Sequence, residues 1–153
     1  MRRFLELKVP PLALWLLAGG AMWWLRRLEW ASIDLPGQYI VAGVLFLFGV
    51  FVAVRGVRAF RAHETTVNPM SPDKASAIVS HDVYRFTRNP MYLGLALSLI
   101  AFGLALGNLA SLAVVVLFAW YMTVFQIVPE ERALAEKFGD AYAAYRATAR
   151  RWL

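Results

Sequence analysis

The sequence predicts an all-α integral membrane bundle of about four transmembrane helices, closed by an amphipathic helix at the cytoplasmic face. Three observations carry that expectation. Hydrophobic residues make up 60% of the 153 residues and charged ones 17%, against about 45–50% and about 25% in soluble domains. Uncharged runs recur near the length of about 20 residues that a bilayer-crossing helix needs. Charged residues are confined to the intervals between those runs. At this length the chain, residues 1–153, is expected to be one domain.

The first span is expected over residues 9–25. It is uncharged, preceded by Arg2, Arg3 and Lys8 and followed by Arg26-Arg27. Its three tryptophans and the lack of a small-residue cleavage site favour an anchor over a signal peptide. The second span, 35–54, ends at Arg55. From Met91 to Pro129 no side chain is charged. That run is too long for one span, and Gly107-Asn108 divides it into a hairpin with arms over 90–106 and 109–128. Between the second and third spans lies a loop, 55–89. Its interval Thr65–Ser80 carries Asn68-Pro69 and Ser71-Pro72-Asp73, which predict irregular structure.

Orientation follows from lysine and arginine placement. Four spans put both termini and the 55–89 loop on one side, which holds fourteen basic residues, while Arg26 and Arg27 lie on the other. The positive-inside rule makes the richer side cytoplasmic. The net charge of +6 therefore reports topology and headgroup contacts rather than nucleic acid. A multi-pass membrane protein, in contact with membrane lipids, is the expected setting.

Residues 130–148 differ in kind. Leu134, Phe138, Ala141, Tyr142 and Tyr145 recur at helical spacing among charges. Acidic residues open this segment and basic ones close it, as the helix dipole prefers. Gly139 is its weak point and a candidate kink.

Polar residues gather where the hairpin meets the cytoplasm. Asn89-Pro90 suits a helix start, with asparagine as cap and proline in the first turn. A helix N-terminus also attracts carboxylate or phosphate groups, and Arg85 and Arg88 stand beside it. Tyr84 and Tyr92 fit either an interfacial belt or the mouth of a pocket. Glu130-Glu131 follow Pro129 at an expected helix start. One of the pair serves the dipole, and the other is available to an ammonium or a ribose hydroxyl. Glu64, His81 and Asp82 match no metal-ligand spacing, so no metal is expected. The absence of cysteine excludes thiolate chemistry. Phosphate-loop, dinucleotide and Ser-His-Asp signatures are missing. Ser98, Ser111, Thr123, Gly94, Gly103 and Gly107 are expected to pack helices. A mid-membrane interior without charge disfavours a transporter. A scaffold or sensor without enzymatic activity is the other non-catalytic reading.

These residues together resemble the isoprenylcysteine carboxyl methyltransferase family and its bacterial relatives, with phospholipid methyltransferases as more distant kin. The shared pattern is Tyr-x-x-x-Arg-(His/Asn)-Pro-x-Tyr-x-Gly, a membrane hairpin, and then Glu-Glu-x-x-Leu-x-x-x-Phe-Gly-x-x-Tyr-x-x-Tyr. Here it reads Tyr84, Arg88, Asn89, Pro90, Tyr92, Gly94, then Glu130, Glu131, Leu134, Phe138, Gly139, Tyr142 and Tyr145. It covers about residues 65–148. The resemblance implies a membrane methyltransferase that uses S-adenosylmethionine without a Rossmann domain. It assigns the cofactor to Ser76, Ala77, Ile78, Val79, Tyr84, Arg88, Asn89, Pro90, Tyr92 and Glu130, at the cytoplasmic face. Glu131 is left as the dipole partner.

Two departures bear on the substrate. The histidine frequent before the proline is Asn89 here. An arginine about four residues before the first glutamate, associated with the substrate carboxylate in prenylcysteine enzymes, is Gln126 here. Gln126 is the expected substrate-binding residue. A neutral side chain there favours a small lipophilic acceptor without a carboxylate over a prenylcysteine, because an unpaired buried ion is costly.

Overall fold

The computed structural model describes residues 6–62 and 77–153. Among them the fold is all-helical, with only two isolated bridge pairs, Ser32 with Asn108 and Thr87 with Arg150. Helix α1 runs Pro11–Leu25, α2 Gln38–Ala62, α3 Pro90–Leu106 and α4 Leu109–Tyr121. A π-helical segment, Met122–Ile127, continues α4 directly into α5, Val128–Phe138, and α6 follows at Asp140–Thr148. Short 3-10 turns occupy Glu29–Ala31 and Asp82–Arg85.

Three expected boundaries are corrected. Helix α2 continues past Val54 to Ala62. Arginines end the apolar run at residue 55 but are good helix formers, so loss of hydropathy does not end the helix. Second, no helix begins at Glu130. Leu109–Phe138 is one continuous helix, so Glu130 and Glu131 have no free helix N-terminus to complement. Third, Gly139 takes φ +50 and splits the segment 130–148 into two helices rather than bending one. The expectation for residues 65–80 falls mostly outside the described residues, and Ser76 and Glu64 fall there too.

Pro129 can sit inside the long helix for a local reason. A proline has no N–H, which leaves the carbonyl four residues earlier without its donor. That carbonyl, Phe125 O, instead accepts the Leu7 N–H at 3.0 Å. Just before it, the Val128 N–H reaches back five residues to Thr123 O, the widened turn of a π-helix.

Helices α2 and α3 make the most extensive contact, and small residues permit it. A Cβ on Gly94 would lie 2.6 Å from the Gly49 carbonyl oxygen and 2.7 Å from the Ala53 Cβ. Farther down the pair, Gly56 faces the Pro90 ring, 3.0 Å from where its own Cβ would be. At the opposite end Gly107 closes α3 in the left-handed conformation, φ +59, as a helix C-cap prefers. Asn108 then starts α4, accepting the Ser111 N–H at 2.9 Å and donating to Leu28 O at 3.1 Å. Ser111 donates to Met22 O across to α1, and Trp15 of α1 donates to Ser98 of α3. Met22, Leu99, Met122 and Ile127 are the fully buried centre.

The outside of the bundle is apolar. Ile40, Leu47 and Phe51 of α2, Leu16 and Trp24 of α1, and Val116 and Leu117 of α4 are exposed. A soluble protein rarely exposes apolar area on this scale. Gln38–Ala62 and Leu109–Phe138 are long and apolar enough to cross a membrane, while Pro11–Leu25 and Pro90–Leu106 are apolar but shorter.

Candidate functional site

The polar residues collect at one end of the bundle, where α3 begins and the uncharged part of the long helix finishes at Val128. They divide into three groups.

The first surrounds Glu130. Pro90 opens α3 and puts Tyr92 in its first turn, where the ring is buried. Glu130 Oε1 accepts the Tyr92 hydroxyl at 2.5 Å and Gln126 Nε2 at 2.7 Å. Gln126 lies in the π-helical segment and is itself buried. No salt bridge compensates Glu130 among the described residues. Loss of hydration therefore dominates and pushes its carboxyl up to about 7, against the downward pull of the Tyr92 and Gln126 hydrogen bonds.

The second surrounds Glu131, one residue on. Arg88 Nη2 lies 2.7 Å from its Oε1 and Arg151 Nη2 lies 2.7 Å from its Oε2. Burial raises this carboxyl, but hydrogen bonds from Arg151 and Arg88 outweigh that and hold it below the usual carboxylate range. Arg88 also donates to the carbonyls of Ala149 and Arg146. Its backbone N–H reaches Arg150 O at 2.8 Å. Asn89 Nδ2 donates to Arg151 O at 2.9 Å. Trp152 Nε1 donates to Thr123 Oγ1 at 3.0 Å.

The third is an aromatic cluster of Ala59, Val79 and Tyr84, with Phe60, Val83 and Tyr145 against it. The Tyr145 hydroxyl donates to Tyr84 O at 2.9 Å. The Arg55–Asp82 ion pair at 2.7 Å fastens the 82–85 turn to α2. The Tyr84 hydroxyl is buried and has no hydrogen-bond partner among the described residues. Burial raises its pKa, and the neighbouring Tyr145 and the charge of Glu130 add to that rise.

The residues expected at a cofactor thus separate. Tyr92, Glu130 and Gln126 form one buried hydrogen-bonded set, with Tyr84 near enough to feel the Glu130 charge and Val79 packed in one cluster with Tyr84. Ala77 and Ile78 are half-buried. Three of these side chains are engaged within the chain. Arg88 is engaged by Glu131 and two carbonyls. The Asn89 side chain makes no helix cap and turns toward Arg151. Pro90 is fully buried against Gly56. Glu131 is not a dipole partner but the centre of a two-arginine network. Sequence reasoning missed Thr123, Arg151 and Trp152 in this role. Arg150-Arg151-Trp152 was visible as a basic, aromatic stretch, but its contacts are to residues 20 to 64 positions away in the chain, which no spacing rule reaches. No group of three metal-ligating side chains occurs among the described residues.

An all-helical bundle with an apolar exterior, carrying at one end a carboxylate without an ion-pair partner and a buried hydroxyl without a hydrogen-bond partner among the described residues, defines a membrane protein. The chain belongs to the phospholipid methyltransferase family, whose model matches residues 37–141. An uncharacterized protein of Haemophilus influenzae is 46% identical over 63 residues, 41% of this chain and 100% of that protein. A protein-S-isoprenylcysteine O-methyltransferase of Schizosaccharomyces pombe is 31% identical over 74 residues, 48% of this chain and 31% of that protein. No solved structure matches the chain.

Proposed function

We propose that this protein is an S-adenosylmethionine-dependent methyltransferase of the bacterial inner membrane, acting on a small lipophilic acceptor at the cytoplasmic face. Four spans, at about 9–25, 35–54, 90–106 and 109–128, leave both termini cytoplasmic. The observation that carries the reading is the Glu130 site: among the described residues, a carboxylate with two neutral donors and no cation, near a buried Tyr84 hydroxyl without a hydrogen-bond partner, on the side that a cytosolic cofactor would reach.

The residues present fit that cofactor. Glu130 offers a carboxylate to its ammonium or its ribose hydroxyls. The first turn of α3 leaves the Met91 and Tyr92 N–H groups without helical acceptors, a fit for its carboxylate. The Tyr84 and Tyr92 rings tolerate its sulfonium charge. The bound cofactor supplies an electrophilic methyl group. The chain's own residues orient it and keep water out, so that positioning carries much of the rate.

Gln126 donates to Glu130 from one helical turn before it, on the membrane side of that residue along the long helix. A substrate carboxylate there would meet Glu130 with no cation to offset it, so acceptors without a carboxylate are favoured. The likeness to a prenylcysteine enzyme supports the second reading, carboxyl methylation.

One experiment tests both. The detergent-solubilised protein is titrated with S-adenosylmethionine. Radiolabelled methyl transfer is then followed into a panel of lipophilic thiols, amines, alcohols and a farnesylcysteine analogue. Binding with transfer to the neutral acceptors is expected. Efficient transfer to the farnesylcysteine analogue alone would establish the second reading, and absence of binding would leave a scaffold.

A further inference from the structure

Arg88, Asn89 and Glu131 are joined to the segment Ala149–Trp152 in a network to which the proposed function gives no task. That segment touches both halves of the Glu130 pocket. On one side, Asn89 and the Arg88 backbone hold the carbonyls of Arg151 and Arg150, and Tyr92 lies less than one helical turn further along α3. On the other side, Trp152 holds Thr123, less than one turn before Gln126, and Arg151 holds Glu131, the neighbour of Glu130. Neither the π-helical segment nor α5 packs extensively against α3. The two halves of the pocket are therefore joined by side chains, and the densest polar set of these runs through Arg150–Trp152.

We propose that Arg88, Asn89, Glu131, Arg151 and Trp152 form a clasp that seats the start of α3 against the long helix and so sets Tyr92 on Glu130. Toward Glu130 they act as positioning residues, through the helices that they join. The clasp exploits the planar arginine fork, which holds a carboxylate in a fixed geometry as lysine does not. Arg151 places Nε and Nη2 on Glu131 at 3.1 and 2.7 Å, and Arg88 approaches the same carboxylate from the other side at 2.7 Å. An interior ion pair of this kind contributes little net stability over an apolar replacement, and its best-attested use is to specify one arrangement.

The enzymatic consequence rests on the proposed function, so the test uses a readout that does not. The infrared carboxyl band of Glu130, assigned by its loss in Glu130→Gln, is titrated in the ligand-free protein. The groups facing it are Tyr92, Gln126, Tyr84 and Glu131. In Arg151→Gln and Asn89→Ala the clasp opens, water reaches Glu130, and its midpoint should fall by about one pH unit or more, because burial is the largest influence on it. Asn89→His keeps a donor toward Arg151 O and should restore the original midpoint. Should Arg151→Gln fail to fold, Asn89→Ala decides alone. S-adenosylmethionine affinity should fall about tenfold with the midpoint, a change equivalent to about 1.4 kcal/mol. An unchanged Glu130 midpoint in folded Asn89→Ala protein, whatever its melting temperature, overturns the proposal and reduces the network to a structural brace. Absence of cofactor binding by the unmodified protein would overturn the proposed function, while the infrared midpoint would still judge the clasp.

Discussion

Glu130 and Glu131 are neighbours in the chain with opposite surroundings. Successive residues on a helix point about 100° apart. That rotation sends Glu130 toward Tyr92 and Gln126 and Glu131 toward Arg88 and Arg151. Both hydrogen bonds of Glu130 fall on one oxygen and come from neutral groups. Both oxygens of Glu131 are held by guanidinium groups. A buried charge that is fully answered belongs to the architecture. One that is hydrogen-bonded but electrically unanswered is a place for a cation or for several donors. The comparison supports the proposed division, Glu130 for the ligand and Glu131 for the architecture, with two arginines in place of the helix dipole as the partner of Glu131.

Removing Glu131 should have the largest effect. Glu131→Ala leaves Arg88, whose side chain is only 10% exposed, without its counter-ion. Breaking a buried pair in this way costs about 3–5 kcal/mol. Arg151, at 36% exposed, can turn to water, which puts the expectation near the lower end, about 3 kcal/mol. Thermal unfolding in detergent should show a large drop in melting temperature. Equal melting temperatures for Glu131→Ala and Glu130→Gln would break the comparison.

Glu130→Gln should leave the fold intact and weaken S-adenosylmethionine by about 1–3 kcal/mol, the loss of a charged hydrogen bond, measurable by titration calorimetry. It should also alter the pH response. The folded Glu130 carboxyl titrates at about 7, against 4.5 ordinarily. The folded chain thus holds this proton more tightly than the unfolded chain, and stability falls as pH rises through that interval. Glu131 has the opposite sign. Its folded value is lowered, so its contribution is present above the ordinary carboxylate range and is lost as pH falls through the lowered value. Glu130→Gln should flatten the melting temperature between 4.5 and about 7 and leave the acid-side loss in place.

Gln126→Arg sharpens the contrast by copying one environment into the other. Gln126 Nε2 is already 2.7 Å from Glu130, so an arginine at 126 would pair with that carboxylate. Glu130 should then titrate below the ordinary range, and a cationic ligand should bind about tenfold more weakly, or about 1.4 kcal/mol. Affinity equal to or above that of the unmodified protein would show that residue 126 addresses the acceptor rather than Glu130.

Much of this arrangement is local and was legible. The Met91–Pro129 run without charge, broken at Gly107-Asn108, announces two apolar helices and their turn, because a left-handed cap and an Asn start are encoded within a few residues. Tyr92 and Glu130 were legible through a resembling motif rather than through their own spacing. What escaped depends on distant partners. Pro129 marks a helix start in any local reading. Here it is interior, because Leu7, over a hundred residues earlier, supplies the donor for Phe125 O. Once that boundary moves, the dipole role of Glu131 disappears and Arg88 acquires a partner. In the same way, Asn89 is a good cap by type, but the Arg151 carbonyl takes its amide.

The smallest expected effect concerns Tyr92→Phe. The ring is buried against Leu99, Met122 and Ile127 in the central cluster, and phenylalanine keeps that contact, so no water path opens. Only the hydroxyl is lost, and with it one of two donors to Glu130 Oε1. That donor pulls the Glu130 pKa downward. Without it the ionised carboxylate is less well supported, and the midpoint should move up, opposite in direction to the fall expected when the clasp opens. A hydrogen bond to a charged group contributes about 1.5–3 kcal/mol, part of which the protonated carboxyl keeps, so a change of about one pH unit is the scale. The infrared titration of Glu130 reads it directly. A fall in the midpoint would mean that the hydroxyl excludes water rather than supporting the charge, and Tyr92 would then belong with the clasp and not with the pocket.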